Sequence, residues 1–312
     1  MATEDDAKHA RDSHHDHGGA PKSFGRAFAI GIGLNLSFVV VEVIYGILSH
    51  SMALVADAGH NLSDVLGLAL AWGATHLAKR RPTKRRTYGF RSTTIVASLA
   101  NAIVLLFVTG GIAWESVRRI FEPADVSGKT VIAVALFGVV VNAASAALFM
   151  SGRKGDLNVR GAFLHLASDA GLALGVALSG VVMMFTGWRW LDPVVSIVLA
   201  VVILGGTWGL LRASMNLVLD AVPDGIDPDN VKAYLAGLPG VVEVHDLHIW
   251  AMSTTDTALT AHLVMPGDSC HAGFLHDTGR SLKERFSIEH STLQVEAPEA
   301  PNPCHLAPDE TV

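Results

Sequence analysis

The chain has 312 residues, half of them apolar and 17% charged, with a mean hydropathy of +0.39. That composition excludes an ordinary soluble enzyme and points to the bilayer, because the apolar residues run in long blocks while the polar ones gather at the ends and in short connections. The net charge of −6 says little about partners, because its sign is distributed unevenly along the chain, and no nucleic-acid face is visible; two cysteines, Cys270 and Cys304, cannot make a disulfide framework.

Residues 1–23 read as a polar cytoplasmic tail in which His9, His14, His15 and His17 are interleaved with Asp12 and Asp16. A short tract of this kind either collects metal loosely or is a plain disordered tail. It carries acids where a secretory signal has a basic start, so no cleaved signal is expected.

Blocks of roughly 20 apolar residues, long enough to cross about 30 Å of hydrocarbon, follow at 26–48, 53–77, 93–113, 130–150, 161–186 and 191–211. Residues 24–212 are therefore expected to form an α-helical polytopic domain of six transmembrane helices. Lys79, Arg80, Arg81, Lys84, Arg85, Arg86 and Arg91 lie between the second and third spans, and Arg153, Lys154 and Arg160 between the fourth and fifth. Basic loops stay on the cytoplasmic side, so both termini are expected there, against the mild dissent of Arg118 and Arg119.

After Arg212, the residues Pro223, Asp224, Gly225 and Pro228 mark a linker, and Asp227 is placed to cap a short helix running to Leu235. The period then changes to two over 242–252 and 257–265, which predicts two strands. A helix over 271–286 and a strand over 291–295 complete a small C-terminal α/β domain, 213–296. Residues 297–312, rich in proline and acid, read as a flexible tail.

The second span contains HNLSD, His60 to Asp64, and the fifth HLASD, His165 to Asp169. Residues i and i+4 share a helix face, so each span aims one imidazole and one carboxylate in a single direction. Asp64 falls about 11 residues past the outer start of its span and Asp169 about eight past the inner start of its own; the pairs can therefore meet near the midplane. A buried carboxylate in hydrocarbon costs several kcal/mol and generally lines a pathway or pairs with something. Two imidazoles and two carboxylates suit tetrahedral Zn²⁺ and leave Co²⁺, Ni²⁺ and Fe²⁺ compatible, whereas Ca²⁺ and Mg²⁺ want more oxygens. The bland alternative is that each pair is a satisfied hydrogen bond between helices. Asp57, one heptad before Asp64, either attracts and releases cations at the outer mouth or caps the helix start. Asn35, Glu42, Asn101 and Asn142 read as interhelical hydrogen-bonding groups.

The order of these features resembles the cation diffusion facilitator family. The resemblance is carried by ADAGHNLSD at 56–64, RTYGF at 86–90, HLASD at 165–169, WLDPVVS at 190–196 and HDLHIW at 245–250. It implies a homodimer with a transport site in each protomer, alternating access, exchange of exported metal for protons, and a metallochaperone-like (ferredoxin-like) C-terminal domain. The His and Asp ligand set looks like the zinc type, which disfavours the larger Cd²⁺. Matched by motif, His245 and His262 with Glu296 look like one cytoplasmic metal site, and His290 with Cys304 like a contributor to another; surface histidines of a soluble domain are the alternative. His248 reads as structural.

On this reading the chain is no enzyme but a proton-coupled exporter of divalent transition-metal cations in the bilayer. Zn²⁺ is its expected cargo and a candidate regulatory ligand, and no organic cofactor is expected. The family resemblance adds an expectation of origin: no histidine-rich insert of the kind seen in many eukaryotic members separates the fourth and fifth spans, which implies the inner membrane of a bacterium. An intramembrane metalloprotease would need H-E-x-x-H, which does not occur. A cation channel without proton coupling and a membrane-bound metal sensor are the remaining rivals.

Overall fold

The computed structural model describes residues 24–150, 157–266 and 273–298. Six long helices occupy the six expected stretches: α1 (Phe24–Leu48), α2 (Met52–Ala78), α3 (Thr93–Phe121), α4 (Gly128–Phe149), α5 (Leu157–Thr186) and α6 (Leu191–Val218). Among the described residues, α3, α4, α5 and α6 are long and apolar enough to cross a membrane, and the apolar stretch Gly33–Leu48 of α1 is shorter. In α2 the apolar run is interrupted by Asp57, His60, Asp64 and His76.

The chain divides into two compact units. The first takes the chain up to Ala58 together with Pro123–Val195. Within it α1 packs on α4 and α4 on α5. The α1–α4 crossing is set by Phe38, which is 1% exposed and lies over Gly138: a methyl there would stand 2.5 Å from Phe38 Cζ. Phe137 meets the same ring edge-on at 5.8 Å. Gly138→Ala is therefore expected to cost about 1–3 kcal/mol through overpacking. Gly175→Ala on α5, where nothing lies within 4 Å of the new methyl, should be neutral or slightly stabilising, since alanine favours helix over glycine. Thermal unfolding of the two variants in detergent makes the comparison.

The first unit also contains a junction of two helix starts. Asp192, in the first turn of α6 and 0% exposed, accepts the Ser51 hydroxyl at 2.5 Å, the Met52 N–H at 2.7 Å and, at the longer 3.4 Å, the Ala53 N–H. These are the orphan donors that open α2. Ser51 Oγ in turn accepts from the Leu54 N–H at 3.2 Å. One carboxylate thus sits at the positive ends of α2 and α6 together.

The second unit comprises Gly59–Glu122 and the chain from Ser196 onward. Hydroxyl pairs join α3 to α6, Ser98 with Ser214 and Ser116 with Ser196, each at 2.8 Å, the kind of interhelical bond that membrane helices use. Gly67 lets Asn101 approach closely, since a methyl at that glycine would lie 2.9 Å from Asn101 Nδ2. Helix α3 continues to Phe121, past the expected end at Ala113, because Glu115 pairs with Arg119 at 3.0 Å and Arg118 at 3.5 Å along its polar extension.

Beyond α6 the order is α7 (Pro228–Ala236), β1 (Glu243–Ala251), β2 (Thr257–Val264), α8 (Phe274–Phe286) and β3 (Ile288–Glu296). Asp227 caps α7 as expected, accepting from the Asp229 N–H at 3.0 Å, with Pro228 in the first turn. The sheet runs β1-β2-β3, with β1 antiparallel and β3 parallel to β2. Val231, Leu235, Val244, Ile249, Leu259, Leu263 and Leu282 belong to its buried core.

The register of β1 slips once. His245 faces His262 and His248 faces Thr260, so β1 advances three residues where β2 advances two. This is a bulge, and Asp246 within it takes φ +50°. The extra residue changes parity, so that Val244 and Ile249 both reach the core.

The tip of the β1–β2 hairpin meets the segment that leads into α3. Arg91 Nη1 is 3.3 Å from Asp256 Oδ2, Ser92 donates to the Met252 carbonyl at 3.3 Å, and the Thr254 N–H donates to Thr94 Oγ1 at 3.1 Å. The RTYGF stretch lies beside it, with Arg86 over Phe90 and Tyr88 edge-on to His290.

Candidate metal centres

The two His and Asp pairs have nearly the same local geometry. In α2, His60 Nε2 lies 3.7 Å from Asp64 Oδ2; in α5, His165 Nε2 lies 3.6 Å from Asp169 Oδ2. Both gaps exceed hydrogen-bond distance. They sit close to the edge of a tetrahedral zinc site, about 3.4 Å for ligands about 2.1 Å from the ion. Each helix therefore presents an imidazole nitrogen and a carboxylate oxygen at a separation that two ligands of one ion would have. The Asp169 side chain is 5% exposed and that of Asp64 33%.

Asp57 is buried, at 2% exposure. It does not cap α2, which begins at Met52. Ser51 supplies the capping oxygen, because its hydroxyl reaches the Leu54 N–H. The capping alternative for Asp57 is thereby corrected. Glu42 and Asn142 are also buried, at 0% and 1%.

A second cluster lies on the sheet. His245, His262 and Glu296 each offer a ligand atom, and these atoms all lie within 4.8 Å of one another. His262 Nδ1 is 3.0 Å from Glu296 Oε1, His245 Nε2 is 3.5 Å from Glu296 Oε2, and the two rings meet edge-on at 5.3 Å. The fold explains the convergence: His245 and His262 are direct partners across β1 and β2, and the parallel β3 brings Glu296 to the same end of the ladder, opposite Val264. His245 is 3% exposed, yet neither ring nitrogen has a hydrogen bond. A buried imidazole without a bond is costly, and a metal ion between His245, His262 and Glu296 would use the lone pair of its unprotonated nitrogen. The donor set of two imidazoles and a carboxylate suits Zn²⁺.

His290 lies elsewhere on the sheet, opposite Ala258 and against Tyr88; its suggested companion Cys304 lies outside the described residues, as do Cys270 and the N-terminal histidines. His248 is not in the cluster but bonds Asp246 at 2.8 Å. Two carboxylates escaped the sequence reading although their motifs were quoted. Asp246 stands in HDLHIW and Asp192 in WLDPVVS; for Asp192 a charged residue inside an otherwise apolar stretch was the available signal.

Residues 28–219 match the model of the cation efflux transmembrane domain, and residues 223–298 that of the cation efflux protein cytoplasmic domain. The chain is 35% identical to the cation efflux system protein CzcD of Alcaligenes sp. over 90% of this chain and 89% of that protein. It is 34% identical to the zinc transporter ZitB of Escherichia coli, over 90% of each, and 32% identical to the cadmium, cobalt and zinc/H(+)-K(+) antiporter of Bacillus subtilis, over 83% of this chain and 85% of that protein. Two family models that together cover most of the chain, with both candidate centres inside them, leave one conclusion: the protein belongs to the cation efflux family, as a membrane protein of the transporter class and not an enzyme.

Proposed function

We propose that the protein exports divalent transition-metal cations, Zn²⁺ foremost, from the cytoplasm in exchange for protons. Co²⁺, Ni²⁺ and Fe²⁺ are admissible cargo on the same ligand chemistry. The observation that carries the reading is the repeated His-x-x-x-Asp pair on α2 and α5, whose nitrogen and oxygen stand 3.7 and 3.6 Å apart, close to the separation of two ligands on one zinc ion. Span arithmetic from the sequence puts both pairs at similar depth, and we take His60, Asp64, His165 and Asp169 as the four ligands of one transport site. Their two carboxylates match the charge of the ion.

Proton coupling follows from the ligands themselves. Imidazole and carboxylate must be deprotonated to bind metal, so a proton and the ion compete for the same atoms. A site that opens to the cytoplasm loads metal, and the same site opening outward exchanges it for protons. The Bacillus subtilis relative is named as an antiporter, which supports coupling to protons. Asp57, buried ahead of the α2 pair, is assigned to the path by which ions leave. The basic α2–α3 loop places that loop and both termini in the cytoplasm, and a bacterial inner membrane and a homodimer complete the assignment. His245, His262 and Glu296 are assigned a zinc ion that acts on the C-terminal domain and is not cargo.

The test is zinc entry into liposomes containing the purified protein, read by an internal dye under imposed pH gradients. Flux should rise with the gradient that drives protons the opposite way. Flux indifferent to the gradient would mean a channel, and zinc binding without flux would mean a sensor.

A further inference from the structure

We infer that Asp246 is a positioning residue for the sheet metal centre: through His262 it fixes which imidazole nitrogen faces the ion. This rests on the assignment of a zinc ion to His245, His262 and Glu296 made above. The two ring nitrogens of His262 face different carboxylates. Nδ1 points to Glu296 Oε1 at 3.0 Å, inside the cluster, and Nε2 points to Asp246 Oδ2 at 3.3 Å, outside it. Neutral imidazole carries one N–H, and only its other nitrogen can bind metal. A carboxylate at Nε2 holds the proton there and leaves the Nδ1 lone pair directed at Glu296 and His245. A carboxylate behind a ligating imidazole orients the ring and raises its basicity.

Two further observations give Asp246 this task. It occupies the bulge of β1 at φ +50°, a conformation that disfavours most side chains but that aspartate tolerates better than most. Bulges re-aim side chains beside functional sites. This one leaves the His245 ring buried in the cluster, at 3% exposure, while the next residue turns its carboxylate behind His262. Asp246 is itself held from the far side, because its Oδ1 is bonded to His248 Nε2 at 2.8 Å. The carboxylate thus has one oxygen for each histidine, and its rotation is restricted by both.

Substitution by alanine would confound loss of the carboxylate with strain at positive φ, so Asp246→Gly is the deletion and Asp246→Asn the conservative replacement. Asparagine keeps an oxygen that can accept from His262. The experiment uses full-length protein in detergent with Asp64→Ala and Asp169→Ala, which removes the carboxylates of the transport site. Zn²⁺ affinity and stoichiometry are measured by competition with a chelating dye, and Co²⁺ is added separately to follow its visible absorption. Asp246→Gly should weaken zinc binding about 10- to 100-fold at unchanged stoichiometry, with the intensity of the Co²⁺ bands, which reports coordination number, retained. Asp246→Asn should recover most of the affinity. Affinity unchanged in Asp246→Gly would overturn the proposal while leaving the centre in place. Loss of the ion altogether, as in His262→Ala, would make Asp246 a ligand and overturn its positioning role. A starting protein in which His245→Ala removes no bound zinc would overturn the centre itself, and this inference with it.

Discussion

Asp169→Ala should bring zinc flux in proteoliposomes down to that of protein-free vesicles. The carboxylate is nearly buried in α5, where removing one partner of a charge pair costs about 3–5 kcal/mol, equivalent to about a hundredfold to several thousandfold in affinity. The remaining ligands would face a divalent ion with half the compensating negative charge. Asp169→Asn keeps the shape and one neutral oxygen but not the charge, so it should fail nearly as badly, which separates charge from packing. Both variants should elute from a sizing column as the wild type does. Flux that persists in Asp169→Ala would remove α5 from the transport site.

Asp192→Ala should be the most damaging substitution for stability in the first unit. It strips the acceptor from the Ser51 hydroxyl and the Met52 N–H, with the Ala53 N–H beside them, at a position with no exposure to water. Unpaired buried donors cost about 1–3 kcal/mol each, and their partial relaxation leaves a loss of roughly 3–5 kcal/mol. At about 2–4 °C per kcal/mol for chains of this order, unfolding in detergent should fall by roughly 10 °C. Asp192→Asn retains an acceptor oxygen and should lose about half as much. Leu191 and Pro193 flank the position without touching the α2 donors through a side-chain acceptor, so the effect should not spread to them.

The helices were legible because what specifies them is local: a run of 20 apolar residues admits few other conformations in lipid. The strands announced themselves by alternation, and α7 by Asp227 before Pro228. What was not legible depends on residues far apart. Ser51 and Asp192 are 141 positions apart, and nothing near either one in the chain names the other. The continuation of α3 beyond Ala113 was hidden because hydropathy falls where Glu115, Arg118 and Arg119 begin, although the helix is held there by ion pairs. Alternation in β1 could not reveal Asp246, since a bulge breaks the very period used to find the strand. The pairs of α2 and α5 are a separate case: their spacing matches the helical repeat, so each half of the candidate site could be read without any tertiary information.

The hairpin tip has a mechanical meaning. The C-terminal domain is joined to its own unit covalently, through the linker 219–227 between α6 and α7, and again through residues 252–256 against 91–94. A body pinned at two points keeps a single rotation, about the line between the pins. The triad of His245, His262 and Glu296 stands at the opposite end of β1 from that tip, about 20 Å away at 3.3 Å per residue, so a turn of one degree moves it by up to about 0.35 Å. The pin is light: an exposed ion pair such as Arg91 with Asp256 contributes about 0–1 kcal/mol. Releasing it frees every other axis at once, and turns a hinge into a swivel.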